Sequence, residues 1–199
     1  MAATVRRSQL LESAAEEFAL TGLRGTTTAA LAERAGISEP VLYIHFKTKD
    51  HLFKETVERN IEERHRTLEG SLALVAERSL SGSVESMALA TVAACMSGTG
   101  NAVLTNWALL EAPEYAIDLC RLEVGLVCEM WERRLAERFP GPRSRTLISM
   151  RLVPYAVHAC LAYGFWLATF RHTPESASPL ARQFAAGLAL VAPSLISSD

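Results

Sequence analysis

Lysine is nearly absent from this chain. Of twenty lysines and arginines in 199 residues, only Lys47, Lys49 and Lys54 are lysines, and they fall within eight residues of one another. Basic charge is not in excess either: 22 acidic residues leave a net charge of −2. That balance excludes a protein that coats nucleic acid non-specifically, so any affinity for phosphate must come from local basic positions and from the pairing of two modules. Cysteine is scarce. Cys95, Cys120, Cys128 and Cys160 lack Cys-x-x-Cys spacing and sit in apolar sequence, which argues against zinc or a disulfide framework and for buried, reduced thiols. The usual marks of a catalyst are missing too: no Gly-x-Ser-x-Gly elbow, no phosphate loop and no Gly-x-Gly-x-x-Gly turn. Glu62 and His65 form a Glu-x-x-His pair, but a di-iron site needs a second pair and two further carboxylates. We therefore expect no enzyme, no metal and no cofactor. Met1 to Thr4 is short, and residues 5–20 are amphipathic rather than a continuous apolar run, so no secretory signal and a cytoplasmic location are expected.

What the chain does have lies between Thr26 and Lys49, in the run TTTAALAERAGISEPVLYIHFKTK. Leu31, Ala32 and Ala35 share one face of a short helical pattern from Thr28 to Ala35, with Thr27 as its N-cap, while Glu33 and Arg34 point away. Gly36 follows where a left-handed C′ residue ends a helix, and Ile37 can pack under the turn. Ser38 suits the N-cap of a second helix, Glu39 suits its dipole, and Pro40 falls in the first turn, where its missing N–H is not needed. Val41, Leu42 and Phe46 supply core contacts. Two short helices about a rigid turn are the layout of a helix-turn-helix. A first helix over Arg6–Leu20, with Leu10, Leu11, Ala14, Ala15 and Phe18 on one face and Gly22 closing it, supports them. A fourth begins at Thr48, with Lys49 beside the free amides of its first turn, where a phosphate would fit.

The run G-L-R-G-T-T-T-A-A-L-A-E-R-A-G-I-S-E-P-V-L-Y-I-H-F-K-T-K-D-H-L-F resembles the DNA-binding domain of the tetracycline-repressor (TetR) family over roughly residues 6–65. The joint spacing of Gly22, Thr27, Ala32, Gly36, Ser38, Tyr43, His45-Phe46, Lys49 and Leu52 carries the resemblance. Pro40-Val41 departs from the family's frequent small pair such as Gly-Thr. The resemblance implies that Thr27, Tyr43, His45 and Lys49 touch the DNA backbone, and that Ser38, Glu39, Pro40 and Leu42 lie nearest the base edges. Glu39 either caps the helix dipole or accepts from a cytosine amino group, and His45 belongs either to the backbone contacts or to an aromatic core. Lys47 joins Lys49 as an expected phosphate contact, because the lysines cluster there.

Beyond residue 48 only helical patterns appear: Thr48–Leu68, Val84–Met96, Ala102–Leu110, Pro113–Phe139, Arg143–Phe170 and Pro179–Ile196. The expected fold is all-α with about nine helices. Residues 1–48 form the helix-turn-helix domain, with the motif at about 27–46 and the domain reaching into the fourth helix to about 65. Residues 49–199 form a helical effector-binding and dimerisation domain. Leu152 to Phe170 has no charged residue in nineteen, long enough to span a membrane, but Pro154, His158 and Gly164 interrupt it and no membrane is expected. The resemblance supplies another role, in which the last two helices pair with their copies in a homodimer. Ala156, Ala159, Ala162, Tyr163, Ala185, Ala186 and Ala189 would form that interface. Cys95, Met96, Asn101, Trp107, Glu111, Tyr115, Glu123, Met130, Trp131, His158, Tyr163 and Trp166 are polar or aromatic residues in an apolar setting. They either line an effector pocket, which the resemblance implies, or pack the core.

The functional expectation is a homodimeric repressor that binds double-stranded operator DNA at two half-sites about 34–36 Å apart, or a multiple of it. A small apolar or amphipathic molecule would release it. The competing reading is a DNA-binding dimer that answers to a protein partner or to no ligand, or that activates.

Overall fold

Apolar residues at helical spacing turn nearly the whole chain into helix. A computed structural model describes residues 2–77, 79–98, 102–141, 146, 148–170 and 174–197. Among them lie nine α-helices and no strand: α1 (Ala2–Gly25), α2 (Thr28–Arg34), α3 (Glu39–His45), α4 (Lys49–Ala73), α5 (Leu80–Met96), α6 (Val103–Glu111), α7 (Pro113–Arg138), α8 (Val153–Thr169) and α9 (Pro174–Ser197). A π-turn, Ile148–Leu152, leads into α8. Asn101 and the turn residues Thr99, Gly100, Pro142 and Thr173 lie outside the described residues, as does Arg143.

The chain divides into two compact units, and the division is not continuous in sequence. One unit is residues 1–63 with 98–120, and the other is 64–97 with 121–199. The sequence expectation assigned everything after residue 48 to the C-terminal domain. It misses that 98–120 folds back onto the N-terminal unit, because Leu104, Ala108 and Ala116 carry no pattern naming the core they join. That core holds Leu10, Phe18, Leu31, Leu42, Phe46, Leu52, Phe53 and Val57, with Phe18 and Phe53 fully buried and packed edge to face at 5.0 Å.

Gly22 does not end the first helix as expected. It breaks α1 at φ 73°, ψ −175°, after which the chain makes one more turn to Gly25. That turn starts with free amides, and a side chain from α6 satisfies two of them: the Glu111 carboxylate accepts from the N–H groups of Leu23 at 2.5 Å and Arg24 at 3.0 Å. A carboxylate at a helix start meets both the unpaired donors and the positive end of the dipole. Trp107, one turn earlier on α6, donates its indole N–H to the Ala19 carbonyl at 3.3 Å. The Thr26 hydroxyl closes the break by donating to the Gly22 carbonyl at 2.6 Å.

In the second unit α5 packs against both α8 and α9. Trp131 is fully buried, and its indole N–H donates to the Thr91 hydroxyl at 3.1 Å, which in turn donates to the Met87 carbonyl. Ile148–Thr169 is long and apolar enough, by length and composition, to cross a membrane, with a mean hydropathy of 1.3. Half of it is instead buried within the protein, on the side formed by Val153, Ala156, Val157, Cys160, Leu161, Gly164 and Leu167. α9 begins at Pro174, not Pro179. Pro179 therefore falls in the second turn and forfeits one backbone bond there.

Cys95 and Cys160 lie in this core. Burial pushes the Cys95 thiol up to about 12 and moves Cys160 in the same direction, which suppresses the reactive thiolate. Iodoacetamide at pH 8 should label the half-buried Cys120 and Cys128 first and reach Cys95 and Cys160 only after unfolding. Peptide mass spectrometry over a labelling time course checks this, and early modification of Cys95 would contradict it.

Candidate nucleic-acid interface

The surface of interest is built by α2, α3 and the start of α4. Thr27 caps α2, its hydroxyl accepting from the Ala30 N–H at 3.1 Å. α2 is held on α1 by Arg34, which pairs with Glu17 at 2.7 Å and Glu16 at 3.0 Å. The turn after α2 closes through two bonds, Gly36 N–H to Glu33 carbonyl and Ile37 N–H to Ala32 carbonyl, both 3.0 Å. This is a Schellman ending, which places its C′ residue in the left-handed region; Gly36 is there at φ 64°. Ser38 then starts α3 in extended backbone. Its carbonyl accepts the first bonds of α3, but its hydroxyl makes no cap bond and faces outward. Glu39 is tied to the start of α2, accepting from the Thr28 hydroxyl at 2.5 Å.

A seven-residue helix can bury only one stripe, and in α3 that stripe is Leu42, 3% exposed, continued by Phe46 just beyond the helix. Leu42 was expected near the base edges. Its burial in the core takes it out of that set, and the exposed apolar residue of α3 is Ile44, at 78%. The sequence signal was available: Leu42 and Phe46 are four apart, so Pro40, Tyr43, Ile44 and Lys47 must share the other side. Ser38, Glu39 and Pro40 are exposed, Tyr43 is half exposed, and His45 is partly buried beside Phe46, with ring centroids 6.5 Å apart.

The start of α4 completes the surface. Thr48 caps it by accepting from the His51 N–H at 3.1 Å. The Lys49 ammonium donates to the Thr26 carbonyl at 2.7 Å, which fixes it against the end of α1 and leaves two of its three donors for other partners. Lys47 is exposed. Behind this surface the Arg7 guanidinium lies 4.5 Å over the Phe46 ring and pairs with Glu55 through Nη2 at 2.6 Å, joining α1 to α4. The Arg7 hydrogen bond, with a smaller contribution from His51, holds the Glu55 carboxyl below the usual carboxylate range. A depressed carboxyl stabilises the fold at neutral pH and loses that contribution as the pH falls through its lowered value. The exposed set therefore offers hydroxyl donors at Ser38 and Tyr43, ammonium donors at Lys47 and Lys49, and one apolar side chain at Ile44.

The residues expected to line an effector pocket are not gathered round one cavity. Trp107 and Glu111 brace the Gly22 break. Tyr115 donates its hydroxyl to the Lys54 carbonyl at 3.0 Å. Glu123 is buried and ion-paired with Arg64 at 2.8 Å, and Trp131 is spent on Thr91. His158 is exposed, its Nδ1 2.6 Å from the Pro154 carbonyl. Cys95 is core. Tyr163 stacks on Phe184 at 4.3 Å and on Trp166 at 5.8 Å, and Trp166 is 47% exposed. Met96 is the exception. It lines an apolar cavity of about 280 Å³ with Leu89, Val92, Ala93, Ser97, Ser178 and Ala181.

The alanines expected at the dimer interface split in the same way. Ala156, Ala185 and Ala189 are buried inside the protomer's own core, while Ala159 and Ala186 are partly exposed and Ala162 is exposed. Small residues suit close helix approach within a subunit as well as between subunits, so size alone could not assign the side.

Residues 10–56 match the family model described as "Bacterial regulatory proteins, tetR family". Over 57 residues the chain is 40% identical to the HTH-type transcriptional activator FasR of Mycolicibacterium smegmatis, covering 29% of this chain and 26% of that protein. Over 52 residues it is 44% identical to the HTH-type transcriptional repressor KstR2 of the same organism, covering 26% of this chain and 25% of that protein. The alignments thus span about a quarter of these relatives' length. Over nearly its whole length the fold matches a putative TetR-family transcriptional regulator from Mesorhizobium loti, with TM-score 0.74, 16% identity and 98% of each chain covered. It also matches the TetR-family regulator CifR, as a cysteine mutant complexed with 26-base-pair operator DNA, with TM-score 0.63, 20% identity, and 89% of this chain and 94% of that one covered. With the matched region coinciding with the helices that build the exposed surface, the chain belongs to the tetR family of bacterial regulatory proteins.

Proposed function

We propose that the protein is a homodimeric, sequence-specific transcriptional repressor that grips a pseudo-palindromic operator with α3 and releases it when a small apolar molecule binds. The observation that carries the reading is the exposed row Ser38, Glu39, Pro40, Tyr43, Ile44 and Lys47 on a helix whose opposite side is locked into the core. Such a helix presents side chains to a major groove without losing its own fold. Thr27, His45 and Lys49 flank the row and serve as backbone contacts. FasR is named an activator, which supports an activating role for the same head. The position of the operator relative to the promoter decides between the two signs.

The dimer reading rests on exposed apolar surface. On α8, Tyr155, Ala162 and Trp166 are exposed, and on α9 so are Gly187, Leu190 and Val191, with Leu190 at 83%. Apolar area of that kind on two long helices is what a four-helix interface between copies buries. Ala159, Tyr163 and Ala186 border it. The effector reading rests on the α5–α9 cavity, whose lining residues carry no charged side chain and which suits a neutral apolar molecule with a polar end near Ser97 and Ser178.

Trp166→Arg tests the assembly, since it puts a charge on an exposed position without opening the core. Sedimentation should show a dimer for the natural protein and a monomer for the variant. Operator affinity should fall about 10²-fold or more, the loss expected when two linked contacts become one. A variant that stays dimeric and binds normally would contradict this interface.

A further inference from the structure

Ile44 is the anomaly of the N-terminal unit. It is the most exposed large hydrophobic residue there, at 78%, on a helix that buries Leu42 at 3%. Nothing in the fold uses it. It stands one helical turn after Pro40 and next to the half-exposed Tyr43, so α3 offers an apolar surface set among the donors of Ser38, Tyr43 and Lys47. Major-groove edges of base pairs are mostly donors and acceptors, and the one apolar group they present is the C5 methyl of thymine. A branched aliphatic side chain has no hydrogen bond to offer any base, and against a donor or acceptor it leaves a polar group without a partner. It can therefore distinguish bases only through that methyl.

We infer that Ile44 is a specificity-determining residue that reads a thymine methyl in each half-site. The inference rests on the proposed DNA-binding function. It adds a residue and a base identity that the resemblance does not supply, and it replaces the role first given to Leu42.

The test uses the full-length protein and the inverted repeat it enriches from a random duplex pool. Each half-site thymine is replaced in turn by deoxyuracil, which removes the methyl and leaves pairing intact. At one symmetric pair of positions the natural protein should lose about four-fold per half-site, the worth of one buried methyl, and roughly fifteen-fold when both half-sites are changed. Ile44→Ala, on an exposed helical position where alanine is a good helix former, should still bind the repeat but no longer distinguish thymine from uracil at that position. A double-mutant cycle should show the two changes to be non-additive there and additive elsewhere. Indifference of the natural protein to every methyl, a half-site without thymine, or an Ile44→Ala protein that keeps the discrimination would each overturn the inference while leaving the regulator reading intact. Enrichment of no repeat at all would overturn both.

Discussion

Glu123→Ala should lower the thermal unfolding temperature of the protein by roughly 10 °C, the shift expected for a loss of about 3–5 kcal/mol in a domain of this size. The Arg64 guanidinium reaches Glu123 through Nε at 3.1 Å and Nη2 at 2.8 Å, and both side chains are 3% exposed. At the surface such a pair would contribute little. Buried, it is costly to break, because removing the carboxylate strands a guanidinium in low dielectric. The account makes a second demand. Arg64→Met combined with Glu123→Leu should recover most of the loss, since two apolar residues of similar volume need no mutual compensation. Calorimetry on the single and double variants checks both. An unchanged melting temperature for Glu123→Ala, or a double variant no better than the single, would contradict the assignment of Glu123 to structure and return it to the ligand-binding candidates.

Gly22→Ala should cost about 3–4 kcal/mol and weaken operator binding with it, by two independent causes. The backbone at φ 73°, ψ −175° is a conformation almost confined to glycine, which a side chain adopts at about 1–3 kcal/mol. A Cβ there would also lie 2.8 Å from Trp107 Cε3 and 2.9 Å from Glu111 Oε2, forcing apart the contacts that join α6 to the break in α1. Gly36 is the internal control. It too has positive φ, 64°, but a Cβ would meet nothing within 4 Å, so Gly36→Ala should cost only the backbone term, about 1 kcal/mol. Denaturant titration should rank natural protein, Gly36→Ala and Gly22→Ala in falling stability, and equal losses at the two glycines would show that the α6 contacts carry no weight.

The parts of this molecule that could be read from sequence are those decided by neighbouring residues. The Gly36-Ile37 turn, the Thr27 and Thr48 caps and the order of the helices follow from local chemistry, and all appear in the fold. The parts that could not be read are decided by residues far away in the chain. Glu111 and Trp107 look like pocket residues until α6 is seen bracing α1, some 88 positions earlier. Glu123 looks like a solvated or ligand-binding acid until Arg64 is found beside it. Ala156, Ala185 and Ala189 have the right size for a dimer interface and the wrong side of their helices. The exchange of Leu42 for Ile44 was legible, since the helical period separates them by about 200°, and a resemblance that supplied roles by position overrode it.

The central claim is that α3 reads a specific duplex sequence on behalf of a dimer. Selection of bound sequences from a random duplex pool by the purified protein, followed by sizing of the complex, tests it most directly. The account predicts an inverted repeat whose half-sites are one helical turn apart, or a multiple of it, bound by an even number of protomers. A protein cleared of co-purified small molecules that enriches no sequence at moderate salt, or a single unrepeated site bound by one protomer, would contradict it.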